Sequence, residues 1–350
     1  MSWEENVRRV EPYVAGEQPK IQDVIKLNTN ECPYPPSPKM KEVLEKMDYG
    51  KLRLYPDMDA KKLVDVLADY YHVKPEQVFV GVGSDDVLAM AFMTFFNGDR
   101  QILFPDITYS FYDVWAQLFR IPYKVCALDG DFCIKKEDYL TPNGGIVIPN
   151  PNAPTGVLED VDFFEEIIAA NPDSVVIVDE AYVDFGGVST IPLICKYDNL
   201  LVVQTFSKSR AMAGARIGFA IGDEKLIRYL KDVKFSYNSY TMNTPVIEMG
   251  AAAVLDDAYF KEIVGKIVKT REWTKEQLKR LGFSFADSKA NFLFVSHKKA
   301  SAKDIFLALK ANNIYVRHWD KKRISNYLRI SIGTDEQMEK LVSFLEDYLK

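Results

Sequence analysis

Lys208 lies in the string Thr205-Phe206-Ser207-Lys208-Ser209-Arg210, directly after the apolar run Leu200-Leu201-Val202-Val203, and Arg216 follows shortly behind it. Strand interiors rarely hold a charge, because burying an unpaired ammonium is very costly. A lysine at the end of a buried strand can instead lose its proton and attack a carbonyl carbon, as Schiff-base lysines do. A solvated loop lysine is the plainer alternative. Lys208 alone does not decide between the two, and the rest of the chain must.

Three further signals precede it. Gly81-Val82-Gly83-Ser84-Asp85-Asp86 is a glycine-rich turn between a strand and a helix. Free N–H groups at a helix N-terminus favour a phosphate, and Ser84 adds a hydroxyl; the string also suits a helix capped by its own Ser and Asp. Asn150-Pro151-Asn152-Ala153-Pro154-Thr155-Gly156 is a rigid turn after a strand. It puts Asn152 at the C-terminal edge of a parallel sheet, where open α/β folds bind ligands; a plain strand-to-helix loop is the alternative. Lastly, Val175-Val176-Ile177-Val178 ends in Asp179, with Tyr182 close behind. A carboxylate there either caps a loop or keeps a ring nitrogen protonated. The second task takes about two pK units, roughly 3 kcal/mol. A carboxylate at about 3 Å, with an effective dielectric near 20, supplies roughly 5 kcal/mol before desolvation. An amine, a partner for a ring nitrogen and a phosphate seat are together what pyridoxal phosphate requires.

Ser84-Asp85, Pro154-Thr155-Gly156, Asp179-Glu180-Ala181-Tyr182, Ser207-Lys208 and Arg216 resemble the landmarks of the fold-type I pyridoxal-phosphate-dependent aminotransferases. The chain ends narrow the resemblance to the histidinol-phosphate aminotransferases among them. The strings are Glu11-Pro12-Tyr13, Leu27-Asn28-Thr29-Asn30-Glu31-Cys32-Pro33, Arg53-Leu54-Tyr55-Pro56-Asp57, Ala290-Asn291-Phe292 and Tyr327-Leu328-Arg329-Ile330-Ser331-Ile332-Gly333-Thr334. The match spans nearly the whole chain and is more specific for fold and cofactor than for substrate.

The resemblance implies a role for each residue. Lys208 forms the Schiff base with the cofactor and then moves the proton. Asp179 pairs with the ring nitrogen, Tyr182 donates to the phenolic oxygen, and Tyr109 stacks on the ring face. Ser84, Asp85, Thr205, Ser207 and Arg216 form the phosphate cup, with charge-assisted bonds from Arg216 the strongest. Tyr55 reaches the phosphate of a neighbouring subunit, which implies a homodimer with sites at its interface. The family's Asn before Pro-Thr-Gly is Ala153 here, which cannot donate: either the adjacent Asn152 takes over or Tyr182 serves alone. Arg329, helped by Arg317, binds the anionic tail of the substrate, and Tyr13, Asn30 and Asn291 complete the pocket. A surface salt bridge is the alternative for Arg317. An arginine fork accepts phosphate and carboxylate alike, as a ping-pong exchange between L-histidinol phosphate and 2-oxoglutarate requires. The products are imidazole-acetol phosphate and L-glutamate, and the reverse direction is a step of histidine biosynthesis. Rivals with the same apparatus are an aromatic amino-acid aminotransferase and a threonine-phosphate decarboxylase; a rival of another class is a non-catalytic ligand-sensing module.

Such a constellation needs a scaffold. Strands are predicted at 78–82, 101–104, 123–128, 145–148, 175–178, 200–204 and 216–221, with helices at 84–97, 109–119, 159–170 and 224–233 between them. Several strands are apolar on both faces, as in a mainly parallel sheet covered on both sides. This is an α/β pattern. After about residue 240 come helices to 255 and over 256–281, strands at 291–296, 314–319 and 327–332, and helices at 301–312 and 335–349, a smaller α+β domain. The expected division is an arm over 1–30 packed on the small domain, a large cofactor-binding domain over 31–245 and a small domain over 246–350. The Pro-rich stretch 32–38 cannot be helical. With 350 residues, 47% hydrophobic, 27% charged and a net charge of −6, the chain reads as globular and has no basic signature for nucleic acid or anionic membrane. Four cysteines without CxxC spacing and three isolated histidines predict reduced thiols and no metal site. Neither a leader nor a membrane span is expected, which predicts a cytoplasmic protein.

Overall fold

Seven apolar runs pair into one sheet in the computed structural model, which describes residues 2–13, 16–20 and 23–350. Their order across the sheet is Val78–Gly81, Gly218–Gly222, Leu200–Thr205, Val176–Asp179, Gly145–Pro149, Ile102–Pro105 and Tyr123–Cys126. Gly218–Gly222 is antiparallel to both neighbours, and the remaining pairings are parallel. All the other strands therefore end at one edge, where Gly218–Gly222 begins.

Period-two alternation sends side chains to opposite faces. Val80, Ile146, Ile148, Val176, Val178, Leu200 and Val202 join one apolar cluster. Phe79, Val147, Ile177, Leu201 and Val203 join the other. Helices Lys61–Tyr71, Val161–Ala170 and Thr244–Leu255 cover the first face, through Leu63, Leu67, Phe164, Ile168 and Val254. Helices Ser84–Phe95, Tyr112–Phe119 and Glu224–Tyr237 cover the second, through Leu88, Phe92, Trp115 and Leu230.

The smaller body is an antiparallel sheet in the order Arg317–His318, Leu328–Ser331, Phe292–His297 and Phe283–Phe285. It packs Leu293, Val295, Leu328 and Ile330 against helices Asp257–Arg280, Ala302–Ala311 and Asp335–Tyr348. The N-terminal segment adds Ile25–Lys26, parallel to Ile314–Tyr315, and buries Leu27 in this cluster. Tyr13 reaches the other way and stacks on Phe111 of the large body at 4.2 Å.

The differences from the predicted elements have local causes. The strand predicted at 314–319 breaks at Val316, because Ile314–Tyr315 pairs with the N-terminal segment and Arg317–His318 with Leu328–Ser331. The helix predicted from 109 starts at Tyr112, leaving Tyr109 in a turn. Two helices escaped prediction. Pro38–Lys46 begins on the last proline of the Pro-rich stretch, the position where proline suits a helix, with Ser37 capping Lys39 N. Lys61–Tyr71 lies between Ala60 and His72, both left-handed at φ 50° and 57°, so neither end carries an ordinary capping signal.

Candidate active site

The shared edge of the sheet gathers the predicted residues. Asp179 terminates its strand, Lys208 lies in the turn after Leu200–Thr205, and Arg216 precedes Gly218–Gly222 with a left-handed φ of 56°. Ser84 and Asp85 open the helix after Val78–Gly81. Lys208 Nζ donates to the Thr29 carbonyl at 3.2 Å and lies 5.8 Å above the Tyr182 ring.

Asp179 is only 4% exposed. It accepts from Tyr112 Oη at 2.8 Å and from Ala181 N at 3.2 Å. Burial pushes its carboxyl up to about 6, although both hydrogen bonds and the Lys208 charge pull the other way. A carboxylate so desolvated favours a cation as its neighbour. Sequence reasoning missed Tyr112. The available signal was a hydroxyl in an aromatic run, since a buried tyrosine oxygen normally finds a partner.

The phosphate-cup candidates form one connected cluster. Thr205 Oγ1 donates to Ser207 Oγ at 3.0 Å, and Arg216 Nη1 donates to Ser207 Oγ at 3.3 Å. Arg216 Nη2 meets Asp85 Oδ2 at 3.3 Å, and Tyr109 Oη donates to Asp85 Oδ1 at 2.7 Å. Asp85 thus ties the aromatic platform to the cup. No side chain caps the helix Ser84–Phe95, so its first N–H groups are not satisfied by a cap and point outward. Asp86 instead accepts from Val82 N at 2.9 Å inside the turn. Glycine is needed twice here. A Cβ on Gly83 would lie 2.3 Å from Arg216 Nη2, and one on Gly218 would lie 2.2 Å from Ser84 N.

Beside these groups opens a cavity of about 380 Å³, lined by Lys208, Tyr182, Tyr109, Tyr13, Asn30 and Arg329 among others. Asn30 Nδ2 donates to Tyr182 Oη at 3.0 Å, and Asn291 Nδ2 donates to the Asn30 carbonyl at 3.1 Å. Arg329 extends between Phe292 and Trp319, its guanidinium 5.4 Å from each ring. Its Nη2 donates to the Asn28 carbonyl at 2.9 Å. Its Nε and Asn291 Oδ1 are buried without a partner among the described residues. Burial holds the Arg329 guanidinium below its ordinary pKa. A partly buried arginine with an unused, buried donor suits an anion. Arg317 lies 5.5 Å from Trp319 on the same wall. The rings of Phe292 and Trp319, which hold Arg329 in place, were not foreseen.

Two predicted residues stand apart. Tyr55 is 82% exposed and stacks on Tyr240 at 4.6 Å, away from the cavity of its own chain. Asn152 is buried with both amide hydrogens committed, to the Ile107 carbonyl and to Thr155 Oγ1, each at 3.0 Å. Its Oδ1 accepts from Thr108 Oγ1 at 3.1 Å. No donor is left for a ring oxygen, and the arrangement fits a brace beneath the 107–109 turn. Asn152→Ala is therefore expected to lower stability by about 1–3 kcal/mol through the orphaned partners. The visible absorption of the cofactor-loaded protein should stay unchanged. Urea midpoints and absorption spectra of the purified variant check both, and a lost absorption band with intact stability would return Asn152 to the site.

Pyridoxal phosphate fits the residues present. Asp179 is a buried carboxylate suited to a pyridinium, the uncapped helix start and Arg216 suit a phosphate, and Lys208 and Tyr109 line the adjoining cavity.

The family model of class I and II aminotransferases matches residues 22–345. The histidinol-phosphate aminotransferase of Lactococcus lactis subsp. cremoris (strain SK11) is 52% identical over 350 residues, covering 100% of this chain and 98% of that protein. Its counterpart in Clostridium beijerinckii is 50% identical over 343 residues, covering 98% of this chain and 96% of that protein. The structure of histidinol-phosphate aminotransferase from Sinorhizobium meliloti in complex with pyridoxal-5'-phosphate superposes with a TM-score of 0.85 at 20% identity, over 93% of this chain and 90% of that one.

Proposed function

The chain belongs to the class I and II aminotransferases, and from that premise we infer that it exchanges an amino group between L-histidinol phosphate and 2-oxoglutarate. The observation that carries this reading is the convergence on one cavity of a lysine amine, Lys208, and a partly buried arginine, Arg329, beside the desolvated carboxylate of Asp179.

When bound, pyridoxal phosphate supplies an aldehyde that condenses with amines and a protonated ring that accepts the electron pair left at the substrate Cα. The protein's part is to hold, orient and move protons. Lys208 Nζ removes the proton from the substrate Cα and later returns one. Asp179 holds the proton on the ring nitrogen, and Tyr112 holds Asp179. Tyr182, held by Asn30, donates to the ring oxygen. Tyr109 supports the ring face, while Ser84, Asp85, Thr205, Ser207 and Arg216 would seat the phosphate. Arg329, with Arg317, orients the anionic tail of each substrate in turn, a phosphate in one half-reaction and a carboxylate in the other.

We also propose a cytoplasmic homodimer. Tyr49, Leu52, Leu54 and Tyr55 form an exposed apolar run beside Tyr240, and a second copy would bury it while bringing Tyr55 to the neighbouring cup. The four cysteines are all free thiols, and among the described residues no helix is long and apolar enough to cross a membrane. Packing favours a domain division after Leu255 rather than at 245, because Val246, Ile247, Ala253 and Val254 belong to the large apolar cluster.

The reading is tested by colour and substrate choice. A yellow protein whose visible band shifts with histidinol phosphate supports it. A preference for phenylalanine or tyrosine would replace it with an aromatic aminotransferase, and carbon dioxide release from threonine phosphate with a decarboxylase. Arg329→Ala should lower kcat/KM for histidinol phosphate and for glutamate by about 10²–10³-fold, the usual range for removing a buried charge partner. The cofactor band should be unaffected. Steady-state kinetics on both substrates check this, and a loss confined to one would assign the other tail elsewhere.

A further inference from the structure

Among the described residues, six cationic side chains line the cavity, Lys208, Arg317, Lys321, Lys322, Arg323 and Arg329, against one carboxylate, Asp106. Arg323 occupies that carboxylate: its Nη1 donates to Asp106 Oδ2 at 2.9 Å. Its Nη2 donates to the carbonyls of Leu128 at 2.9 Å and Asp129 at 2.6 Å. Lys208, Lys321, Lys322 and Arg329 face the same cavity with no further carboxylate among its described lining residues. Lys321 and Lys322 stand at the exposed rim, and among the described residues neither has an ion-pair partner.

Two exposed lysines are ordinarily a solvated face that contributes little. Their setting here differs. The segment 319–324 spans from the small sheet to the large body and is fastened at both ends. Trp319 packs beside Arg329 at the start. At the far end Arg323 clamps three oxygens of the large body, and Ile324 is buried. Between the fastenings, Ile324 N closes a turn on the Lys321 carbonyl at 3.2 Å. The backbone that carries both ammonium groups is thus held over the mouth of a cavity whose deeper wall is Arg329 and Arg317. Like charges gathered at one opening repel one another and focus a potential that draws in an anion.

We propose that Lys321 and Lys322 form an outer anion subsite that reads the phosphoryl tail of the substrate, selecting an amine that carries a phosphate over the same amine without one. The proposal rests on the functional reading above and deepens it. A carboxylate saturates Arg329 with a single charge. A phosphate dianion extends further and keeps charge to share with the rim. Contacts at the rim lie within reach of salt, whose screening length is about 8 Å at physiological strength.

The test compares L-histidinol phosphate with L-histidinol, which differ only in the phosphoryl group. In the cofactor-loaded double variant Lys321→Gln/Lys322→Gln, the ratio of kcat/KM for the two should fall about fivefold to tenfold, mainly through KM for the phosphate. The wild-type preference should weaken as sodium chloride rises from about 20 to about 300 mM, and the variant should lose most of that dependence. Lys41→Gln/Lys46→Gln, on the distant helix Pro38–Lys46, changes net charge equally and should leave the ratio alone. An unchanged ratio in the rim variant, or an equal fall in the distant one, overturns the subsite. A wild-type enzyme that ignores histidinol phosphate overturns the functional reading itself, and that is visible before any variant is made.

Discussion

Lys208→Ala is expected to lower turnover by at least about 10⁴-fold and to abolish the pyridoxyl label that borohydride fixes in the native protein. Positioned proton transfer alone contributes about 10²–10⁴-fold, and this side chain also provides the covalent attachment. The loss should be chemical rather than structural. The ammonium makes one hydrogen bond, to the Thr29 carbonyl, and stands half-buried over Tyr182. The turn beneath it is fixed by its neighbours: Ser209 bonds to Asp184, and Arg210 donates to the Ala253 carbonyl at 3.1 Å beneath the ring of Phe260. Lys208→Arg separates charge from basicity. It keeps the cation but cannot yield its proton at neutral pH, so it should be as inactive as the alanine variant. Rapid-quench assays and mass spectrometry of the reduced peptide measure both effects. A label found on another lysine, or an arginine variant with substantial turnover, would remove Lys208 from the reaction.

The edge of the sheet was legible because buried strands and chemistry leave opposite marks in a chain. Val176-Ile177-Val178 and Leu200-Leu201-Val202-Val203 are apolar on both faces and stop at polar residues, so the sites of Asp179 and Lys208 follow from where the apolar runs end. What stayed hidden depends on partners far away in sequence. Tyr112 meets Asp179 across 67 positions, and Arg323 meets Asp106 across 217. Neither spacing has a period to read. Asn152 illustrates the converse. Its place at the sheet edge was foreseeable, but its amide hydrogens are taken by Ile107 and Thr155, and only three-dimensional accounting of donors reveals that. Tyr55 is exposed on its own chain, and the role proposed for it needs a second copy, which no spacing within one chain can display.

Asp179→Asn should move activity and stability in opposite directions. Burial lifts the carboxyl from about 3.8 to about 6 in the folded chain. The folded state therefore holds a proton that the unfolded state has released between about pH 4 and pH 6. Stability conferred by that proton is full below about pH 4 and falls as pH rises through about 6. About two pK units correspond to roughly 3 kcal/mol at neutral pH. Asparagine avoids this loss and keeps the contacts: Oδ1 can accept from Ala181 N–H, and Nδ2 can donate to Tyr112 Oη, the two partners Asp179 already has. The cofactor-free variant should then be more stable than wild type at pH 7.5 by roughly 1–3 kcal/mol, with only about a third of that difference at pH 4.5. Urea midpoints at the two values measure this. The loaded variant should lose about 10³-fold in kcat, since a carboxylate–pyridinium contact of roughly 4–5 kcal/mol no longer holds the ring proton. A side chain kept for packing would show the reverse, with destabilisation on replacement and turnover intact. That result would make Asp179 a loop cap and leave the ring nitrogen without its partner.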